Sequence, residues 1–425
     1  MISRMINMNS FPQWFIEKRR FAEKFIEKAP EPKYGLKLDW NKFRLSAEKY
    51  YRTMDIDDLP PEVKGSLQNL VFPFSKNIAA NIVHVNETLV YEKIVREMVP
   101  RGVEIINIED AIRKYDWLKN YWFRAFPLTL NKLSAIHGAY SKGGAFIHVS
   151  ENIKVKKPIS SCFVVASSRY AQLSHSIVIA EPGSEIHILT GCTAPLTVQG
   201  SLHVGLTEVY VKRNARVVST MIEYWHQKVH SRPLKAVIVE DGGEYVENLI
   251  MLKPGLSIQA YPTVILKGKN SSTILRSIVI GTDSSDIDIG EAAYLVGENS
   301  KARLITRGLA LDSSYIKQRT KVWSKASKSS GYVECSGLIL SDKAKLETYP
   351  TLQTFVKDTE LYHESSIGKV AEDQLFYLIS RGFSEEEATA LMIRGFLDPD
   401  MLDLPEPLLS QVKSIIDLIV REAKM

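Results

Sequence analysis

Residues 263–314 read TVILKGKNSSTILRSIVIGTDSSDIDIGEAAYLVGENSKARLITRGLALDSS. Short runs rich in Val, Ile, Leu and Thr alternate with turn-forming clusters: KGKN at 267, TDSS at 282, GENS at 297 and LDSS at 311. Such runs, bounded by Gly, Asn, Asp and Ser, are typical of strands joined by turns. The starting positions of the clusters are almost evenly spaced, and a regular recurrence of this kind indicates stacked, repeated strands.

The same texture begins near Gly143 and continues to the cluster SDKA at 341, with wider gaps between the earlier clusters. A single β-sandwich of that length would exceed the usual size of a domain. A parallel β-helix, in which each coil stacks on the next, therefore fits the pattern better. Two consecutive antiparallel β domains are the alternative.

The segments on either side of this β region have helical patterns. Before it, apolar residues recur at helical spacing over 15–28, 83–99 and 108–117,. After it, Gly382 follows one helical run, and Ser384 with Glu387 forms a capping box for the next,.

A last helix carries an apolar stripe, which is usually core and is also a common docking surface. Its members are Leu408, Leu409, Val412, Ile415, Ile416 and Ile419. The sequence thus predicts a mainly β protein with α-helical parts. An N-terminal helical region spans 1–140, a parallel β-helix core spans 141–362 and a C-terminal helical region spans 363–425.

Composition limits the possible functions. Hydrophobic residues make up 45% and charged residues 24% of the 425 residues, and the net charge of +5 forms no concentrated basic stripe, so we expect no nucleic-acid partner,. The chain has no apolar run long enough to span a membrane and no secretory signal pattern, so we expect a cytoplasmic protein. It also lacks a phosphate-binding loop, so any ATP-driven step requires another protein.

A polar cluster lies where the strand-like pattern meets the helical one. Cys335 lies in GYVECSGLILSD, and the pair His363 and Glu364 follows in ELYHESSIGKVAEDQ. Thiol, imidazole and carboxylate groups are the main side-chain ligands of transition metals. Taken singly, Cys335 is explained as a small buried residue, His363 as a hydrogen-bonded histidine and Glu364 as a solvated carboxylate.

Only three cysteines are present, and none lies in a C-x-x-C pair. One chain therefore cannot supply a four-cysteine site, and histidine, carboxylate or a second subunit must contribute ligands. Cys192 lies in a Gly-Cys-Thr-Ala-Pro turn, where a thiol becomes reactive only beside a cation or dipole,.

A β-helix is also compatible with a polysaccharide-degrading enzyme, which needs clustered carboxylates. Acidic residues do cluster at Asp283, Asp286, Asp288 and Glu291. The i, i+2 spacing places Asp286 and Asp288 on one face of a strand. Solvated turn residues explain the cluster better, because no secretory signal is present.

Several blocks, in order, resemble the SufB/SufD family of the SUF iron–sulfur cluster assembly system. They are EDAIRKYDWLKNYWF at 109, AIHGAYSKGGAFIHV at 135, IVIAEPGSEIHILTGCTAP at 177, SLHVGLTEVYVKRNARV at 201 and HESSIGKVAEDQLFYLISRGFSEEEATALMIRGF at 363. The resemblance implies a right-handed parallel β-helix flanked by helical regions. It also implies a C-terminal region that binds the ABC-type ATPase SufC, in keeping with the missing phosphate loop.

In this family a transient iron–sulfur cluster is thought to form between two paired scaffold subunits. SufB-type chains resemble this one in having a cysteine at Cys335 and a His–Glu pair at His363 and Glu364, whereas SufD-type chains keep only the histidine. Cys192 matches the SufB position proposed to accept sulfur. The resemblance therefore implies Cys335, His363 and Glu364 as cluster ligands and Cys192 as a sulfur acceptor.

Departures from the SufB pattern concern the sulfur route. An Arg-x-Asn pair is replaced by Val164 and Ala166, a Gln-x-Trp motif by Glu223 and Trp225, and an N-terminal C-x-x-C motif is missing. We therefore expect a scaffold rather than an enzyme. Its expected partners are SufC, a sulfur-donor protein and a second SufB/SufD-type subunit or a second copy of itself. The alternative is a SufD-like structural partner that holds no cluster, and flavin binding stays open.

Overall fold

The computed structural model describes residues 10–47, 49–70, 73, 75–402, 404 and 406–422. Its α-helices are α1 (Gln13–Phe25), α2 (Pro61–Gln68), α3 (Ile108–Lys114), α4 (Lys132–Tyr140), α5 (Glu372–Ser380), α6 (Glu385–Leu397) and α7 (Glu406–Glu422). Its strands are β1 (Ala80–Val85), β2 (Thr88–Ile94), β3 (Val103–Asn107), β4 (Ala145–Val149), β5 (Ile159–Val164), β6 (Ala171–Ala180), β7 (Glu185–Thr193), β8 (Ser201–Val211), β9 (Arg216–Trp225), β10 (Val229–Ser231), β11 (Leu234–Val239), β12 (Glu244–Pro254), β13 (Ser257–Ala260), β14 (Thr263–Leu266), β15 (Ser272–Gly281), β16 (Asp286–Ile289), β17 (Ala292–Leu295), β18 (Lys301–Ala310), β19 (Tyr315–Gln318), β20 (Lys321–Ser324), β21 (Ser330–Ile339), β22 (Lys345–Thr348), β23 (Thr351–Thr354) and β24 (Glu360–Lys369).

The strands form two sheets that enclose the interior of the solenoid. The first sheet, called the long sheet here, has the order β2-β1-β5-β7-β9-β12-β15-β18-β21-β24, and all its pairs are parallel except the hairpin β1–β2. In it Glu244, Ser272, Lys301, Ser330 and Glu360 lie side by side, so the interval between two of these neighbours is the length of one coil. The predicted parallel β-helix is confirmed, and two antiparallel domains are not formed.

The second sheet divides part-way along the chain. Strand β8 pairs in parallel with both β10 and β11, and from there two rows of short strands continue, β10-β13-β16-β19-β22 and β11-β14-β17-β20-β23. Each later coil therefore has one long strand and two short ones separated by a bend. The coils are so close at this bend that a Cβ atom on Gly290 would lie 1.6 Å from the carbonyl oxygen of Arg319.

The turn clusters found in the sequence mark the two ends of the long strands, so the interval between successive clusters is half a coil. At one end Asn270, Asn299 and Lys328 all have left-handed backbone conformations, with φ of 55°, 58° and 55°. Asn299 Nδ2 donates to Asn270 Oδ1 at 2.6 Å. Asparagine tolerates this conformation better than other residues with a Cβ atom, which explains its recurrence at the turns.

Helices cover the outer faces of the solenoid. Leu67 of α2, Ile393 of α6 and Ile416 of α7 belong to one apolar cluster with Ile222 and Ile278, which point outward from the long sheet. Helices α1 and α4 contact each other. They cover the outer face of the second sheet, where Phe15 of α1 packs near Leu206 and Leu133 of α4 packs near Leu202. No helix among the described residues is long and apolar enough to cross a membrane.

The helix expected over 83–99 is wrong, because β1 and β2 form a hairpin that turns at Asn86, where φ is 52°.

The C-terminal stripe is core, since Leu408, Leu409, Val412 and Ile416 are buried and Ile415 packs against them. The side chain of Ile419 lies outside the described residues. Strand β24 continues to Lys369, and α5 begins at Glu372.

Lys328 is the one lysine among the described residues with a left-handed backbone. Replacing it by asparagine (Lys328→Asn) should raise the free energy of unfolding by about 0.5–1 kcal/mol, because asparagine adopts this conformation at lower cost. Urea unfolding of the full chain measures the change. Ser327→Asn introduces the same residue next door without the left-handed backbone and should give no gain; equal effects of the two substitutions would contradict the explanation.

Candidate functional site

Cys335 lies on β21 and faces the inside of the solenoid. Its side chain is fully buried, and Sγ lies 3.3 Å from Thr320 Oγ1 at the bend between the short strands. Burial raises the pKa of the Cys335 thiol to about 11, because the charged thiolate loses its hydration there,. In the single chain Cys335 is therefore a neutral thiol.

His363 and Glu364 lie on the adjacent strand, β24. Val333 pairs with His363, Glu334 with Glu364 and Cys335 with Ser365. Because side chains alternate along a strand, His363 is on the inner side with Cys335, whereas Glu364 is on the outer side. There Tyr332 donates its hydroxyl to Glu364 Oε2 at 3.0 Å. One chain thus brings Cys335 and His363 to the same side of neighbouring strands and does not bring all three groups together.

Cys192 lies near the other end of the solenoid, on β7. In the long sheet it pairs with Phe163 on one side and Glu223 on the other. Cys192 is only 1% exposed. Burial, followed by the negative charge of Glu223, raises the pKa of the thiol well above its ordinary value. Lys235, the nearby cation, lowers the pKa of the thiol, but these two effects outweigh it.

Glu223 also contacts Trp225 and Ser231. Its Oε2 atom accepts a hydrogen bond from Trp225 Nε1 and another from Ser231 Oγ at 2.9 Å. Burial raises the pKa of Glu223 to about 7, because these hydrogen bonds replace only part of the lost hydration,.

Buried polar side chains continue inside the solenoid beyond Glu223. Lys235 Nζ lies 2.5 Å from Glu247 Oε1 and 3.0 Å from Ser219 Oγ. Further along the axis, Glu291 accepts hydrogen bonds from Ser277 and, at 3.0 Å, from Thr306.

We call the series Glu223, Lys235, Glu247, Glu291, Thr306 and Thr320 the inner file. All its members are buried, and it lies between Cys192 and Cys335. The two cysteines are five strands apart in the long sheet, which corresponds to about 24 Å along the axis at ~4.8 Å per strand.

The acidic cluster found in the sequence separates in the structure. Asp286 pairs with Lys317 at 3.1 Å, and Asp288 with Arg319 at 2.8 Å, both on the outer face of the short strands. Glu291 instead points into the solenoid as a member of the inner file. Most of the inner file was not found from the sequence, because a lone polar residue in a strand gives no sign of which face it occupies.

Glu291 makes stability depend on pH. Burial raises its pKa to about 7, so its contribution to stability is present below the unfolded value near 4.5 and is lost as pH rises through about 7. Glu291→Gln keeps the hydrogen bonds with Ser277 and Thr306 and removes the charge. Relative to the parent, it should be more stable at pH 8 than at pH 5, by roughly 3 kcal/mol at most.

Denaturant unfolding at the two pH values tests this expectation. Glu298→Gln is a suitable control, because the exposed Glu298 has a pKa that is lowered by Lys328 and Lys269. Loss of the Glu298 charge should not raise the free energy of unfolding at pH 8. A Glu291→Gln effect of equal size at both pH values would show that ionisation of the buried carboxyl does not destabilise the fold.

Comparison with known proteins identifies the family of this solenoid. Residues 163–396 match the family model described as SUF system FeS cluster assembly, SufBD core domain, and residues 75–160 match the SufBD protein N-terminal region. The chain belongs to the SufBD family. The resemblance noted in the sequence is confirmed at this level, and the SufBD core comprises the coils from the end of β5 onward together with α5 and most of α6.

Relatives named iron-sulfur cluster assembly SufBD family proteins match over most of the chain. The one from Pyrococcus horikoshii is 37% identical over 368 residues, which are 86% of this chain and 82% of its own. The one from Methanothermobacter thermautotrophicus is 34% identical over 406 residues, 94% of this chain and 98% of its own. A Staphylococcus saprophyticus relative is 29% identical over 415 residues, 95% and 89% of the two chains.

Proposed function

We propose that this SufBD protein is a SufB-like scaffold that builds an iron–sulfur cluster at an interface between two subunits in the cytoplasm. This proposal rests on the position of Cys335 and His363. They lie on the inner side of β21 and β24, in the last two coils of the solenoid. Thiolate binds iron firmly, whereas imidazole and carboxylate bind it less strongly, which favours later release of the cluster.

The last coil supports a subunit interface at this end. Among the described strands, β24 has β21 as its only neighbour in the long sheet, and its residues are mostly exposed. Exposed edges of this kind pair readily with another chain. Tyr362 and Ile367 are 59% and 43% exposed, which adds apolar area to the edge. A second copy, or a second SufBD-type subunit, would bring further ligands to Cys335.

The role of Glu364 follows from the same geometry. Within one chain Glu364 points away from Cys335 and accepts from Tyr332. The carboxylate of a paired subunit, or a rearranged last coil, must therefore complete the ligand set. Movement driven by a SufC-type ATPase is the proposed source of that rearrangement.

Cys192 is the proposed entry point for sulfur. Once Cys192 is exposed and deprotonated, its thiolate would attack the terminal sulfur of a donor protein's persulfide, so that a new persulfide forms on Cys192 and the donor cysteine leaves as a thiolate, which takes up a proton from solvent. This exchange needs no oxidant. About 24 Å separates Cys192 from Cys335, so a direct exchange between them is excluded, and the inner file provides the polar lining between them.

The ligand role of Cys335 has a direct test. Cys335→Ser keeps a hydroxyl beside Thr320 and removes the iron-binding thiolate, so the iron and sulfide bound per chain should fall at least fivefold. Anaerobic reconstitution of the full chain with ferrous iron and sulfide, followed by absorption spectra and iron analysis, measures this. Cys162→Ser is the matched control, because Cys162 is also fully buried but belongs to the outer-face cluster under α2. Full cluster assembly by Cys335→Ser would sink the assignment.

The C-terminal helices are the proposed docking surface for SufC. Helix α5 has no buried residue, and Phe376 and Tyr377 are 67% and 57% exposed. Phe383, in the turn after α5, is 41% exposed and extends the same apolar area. Helices α6 and α7 anchor α5 to the solenoid through their buried residues.

Phe376→Asp should weaken binding of the SufC-type ATPase from the same source at least tenfold, because a charge replaces an exposed aromatic anchor. Calorimetry with the full chain gives the dissociation constant. Tyr51→Asp, at a site 88% exposed in the N-terminal part, is the control. Unchanged affinity for Phe376→Asp would remove α5 from the docking surface.

A second candidate function is that of a structural partner that recruits the ATPase and holds no cluster. The outward orientation of Glu364 within one chain favours it. A purified homodimer that fails to assemble a cluster, but succeeds when mixed with a second SufBD-type scaffold, would support this alternative over the leading proposal.

A further inference from the structure

Three buried side chains of different chemical type meet near the N-terminal end of the inner file. The ligand atoms of Cys192, His203 and Glu223 all lie within 4.8 Å of one another. Cys192 and Glu223 are neighbours on β7 and β9 of the long sheet, and His203 reaches them from β8 in the opposite sheet. None of the three is more than 1% exposed.

The orientation of His203 leaves one ring nitrogen free to bind a ligand. Its Nδ1 atom lies 2.7 Å from Gln172 Oε1, while Gln172 Nε2 donates to the carbonyl oxygens of Asn86 and Val164. The amide oxygen therefore faces the ring, so Nδ1 carries the hydrogen and Nε2 has an open lone pair. Among the described residues, Nε2 has no hydrogen-bond partner.

The absence of a side chain at Gly205 leaves space beside His203 Nε2. A Cβ atom on Gly205 would lie 2.9 Å from His203 Nε2, so any larger residue there would crowd it. Burial lowers the pKa of His203 to about 3, so the ring is neutral at physiological pH.

Glu223 is oriented in the same manner. Trp225 and Ser231 both donate to its Oε2 atom. Its Oε1 atom is buried and, among the described residues, has no partner other than the weakly donating thiol of Cys192 beside the carboxylate. A buried polar atom without a partner costs about 1–3 kcal/mol. Two poorly satisfied atoms, one on His203 and one on Glu223, thus lie beside the same thiol.

We propose that Cys192, His203 and Glu223 bind one divalent transition-metal ion inside the solenoid. Sulfur, nitrogen and oxygen donors together suit ions such as Zn²⁺ and Fe²⁺ and do not suit Mg²⁺ or Ca²⁺, which require oxygen ligands. The ion takes up both open lone pairs and displaces the thiol proton to solvent. The Cys192 thiolate and the Glu223 carboxylate then balance its two positive charges.

Neighbouring groups complete the site. Gln172 orients His203, and Trp225 with Ser231 orients Glu223, as outer partners commonly do for metal ligands. Lys235, the nearby cation, is already paired with Glu247. The structure therefore places no unpaired positive charge among the described residues of this site that would repel the ion.

Trp225 contacts both the site and a neighbouring cavity. A cavity of about 720 Å³ is lined by Ala194, Pro195 and Trp225, among other residues. Ala194 and Pro195 directly follow strand β7, on which Cys192 lies. The centroid of the Trp225 indole lies 5.2 Å from that of the His203 ring, and its Nε1 donates to Glu223.

Cobalt(II) titration of the full chain tests the proposal. The starting protein carries Cys162→Ser and Cys335→Ser, which leaves Cys192 as its one thiol. After removal of metals by chelation, it should bind one Co²⁺ per chain with a thiolate-to-cobalt charge-transfer band. Because Cys335 is absent, the result does not depend on the proposed cluster site. Failure to develop the band in the folded protein would overturn the proposal.

Ligand variants in the same background identify the site. Cys192→Ser should abolish the band. Glu223→Gln still accepts from Trp225 and Ser231 and should weaken Co²⁺ binding at least tenfold without loss of the fold, as checked by thermal unfolding of the metal-free proteins. His203→Gln should act similarly, whereas His230→Gln, on β10, should not. A band that survives Cys192→Ser, or unchanged affinity in Glu223→Gln and His203→Gln, would refute the assignment.

Discussion

Successive coils of the solenoid stack in register, apart from one shift between Met251 and Lys253 of β12, so an inward side chain meets the side chain at the same position one coil away. Apolar residues thereby form continuous columns inside the protein. A buried carboxylate inside the solenoid must be satisfied by polar side chains of its own coil or of an adjacent one, since water does not reach it and an unpaired charge costs several kcal/mol. Glu247 is satisfied by Lys235, and Glu291 by Ser277 and Thr306. The inner file is therefore a product of the stacking itself.

The repeat was predictable because the turns repeat more strictly than the strands. Left-handed positions at Asn270, Asn299, Asp283 and Asp312 restrict the turns to a few residue types, and those types are visible in the sequence,. The hairpin β1–β2 was missed because its turn, at Asn86, contains no glycine, and its short apolar runs resemble a helical pattern. Apolar periodicity over so few residues does not separate strand from helix.

The candidate site was predictable only in part. Cys335 and Glu364 are separated by about one coil, so neighbouring strands follow from the repeat length. The faces of those strands do not follow from it: a shift of one residue exchanges inside and outside. For the same reason, nothing in the sequence indicated that the side chains of His203 and Glu291 point inward. His203 approaches Cys192 only because the two sheets close around one interior, which no local pattern reports.

Register also limits how the length of such a chain can change. An insertion of one residue within a strand would turn the following inward side chains outward, and buried carboxylates such as Glu247 would lose their partners. Turn loops at the surface tolerate insertions far better. Within a strand, an added residue must be taken up by a local bulge, as between Met251 and Lys253 of β12,. Larger changes of length are expected as whole coils, each the interval between aligned positions such as Lys301 and Ser330. The distance along the axis between Cys192 on β7 and the last strand, β24, is thus a whole number of strand spacings. Intermediate distances are not available to the fold.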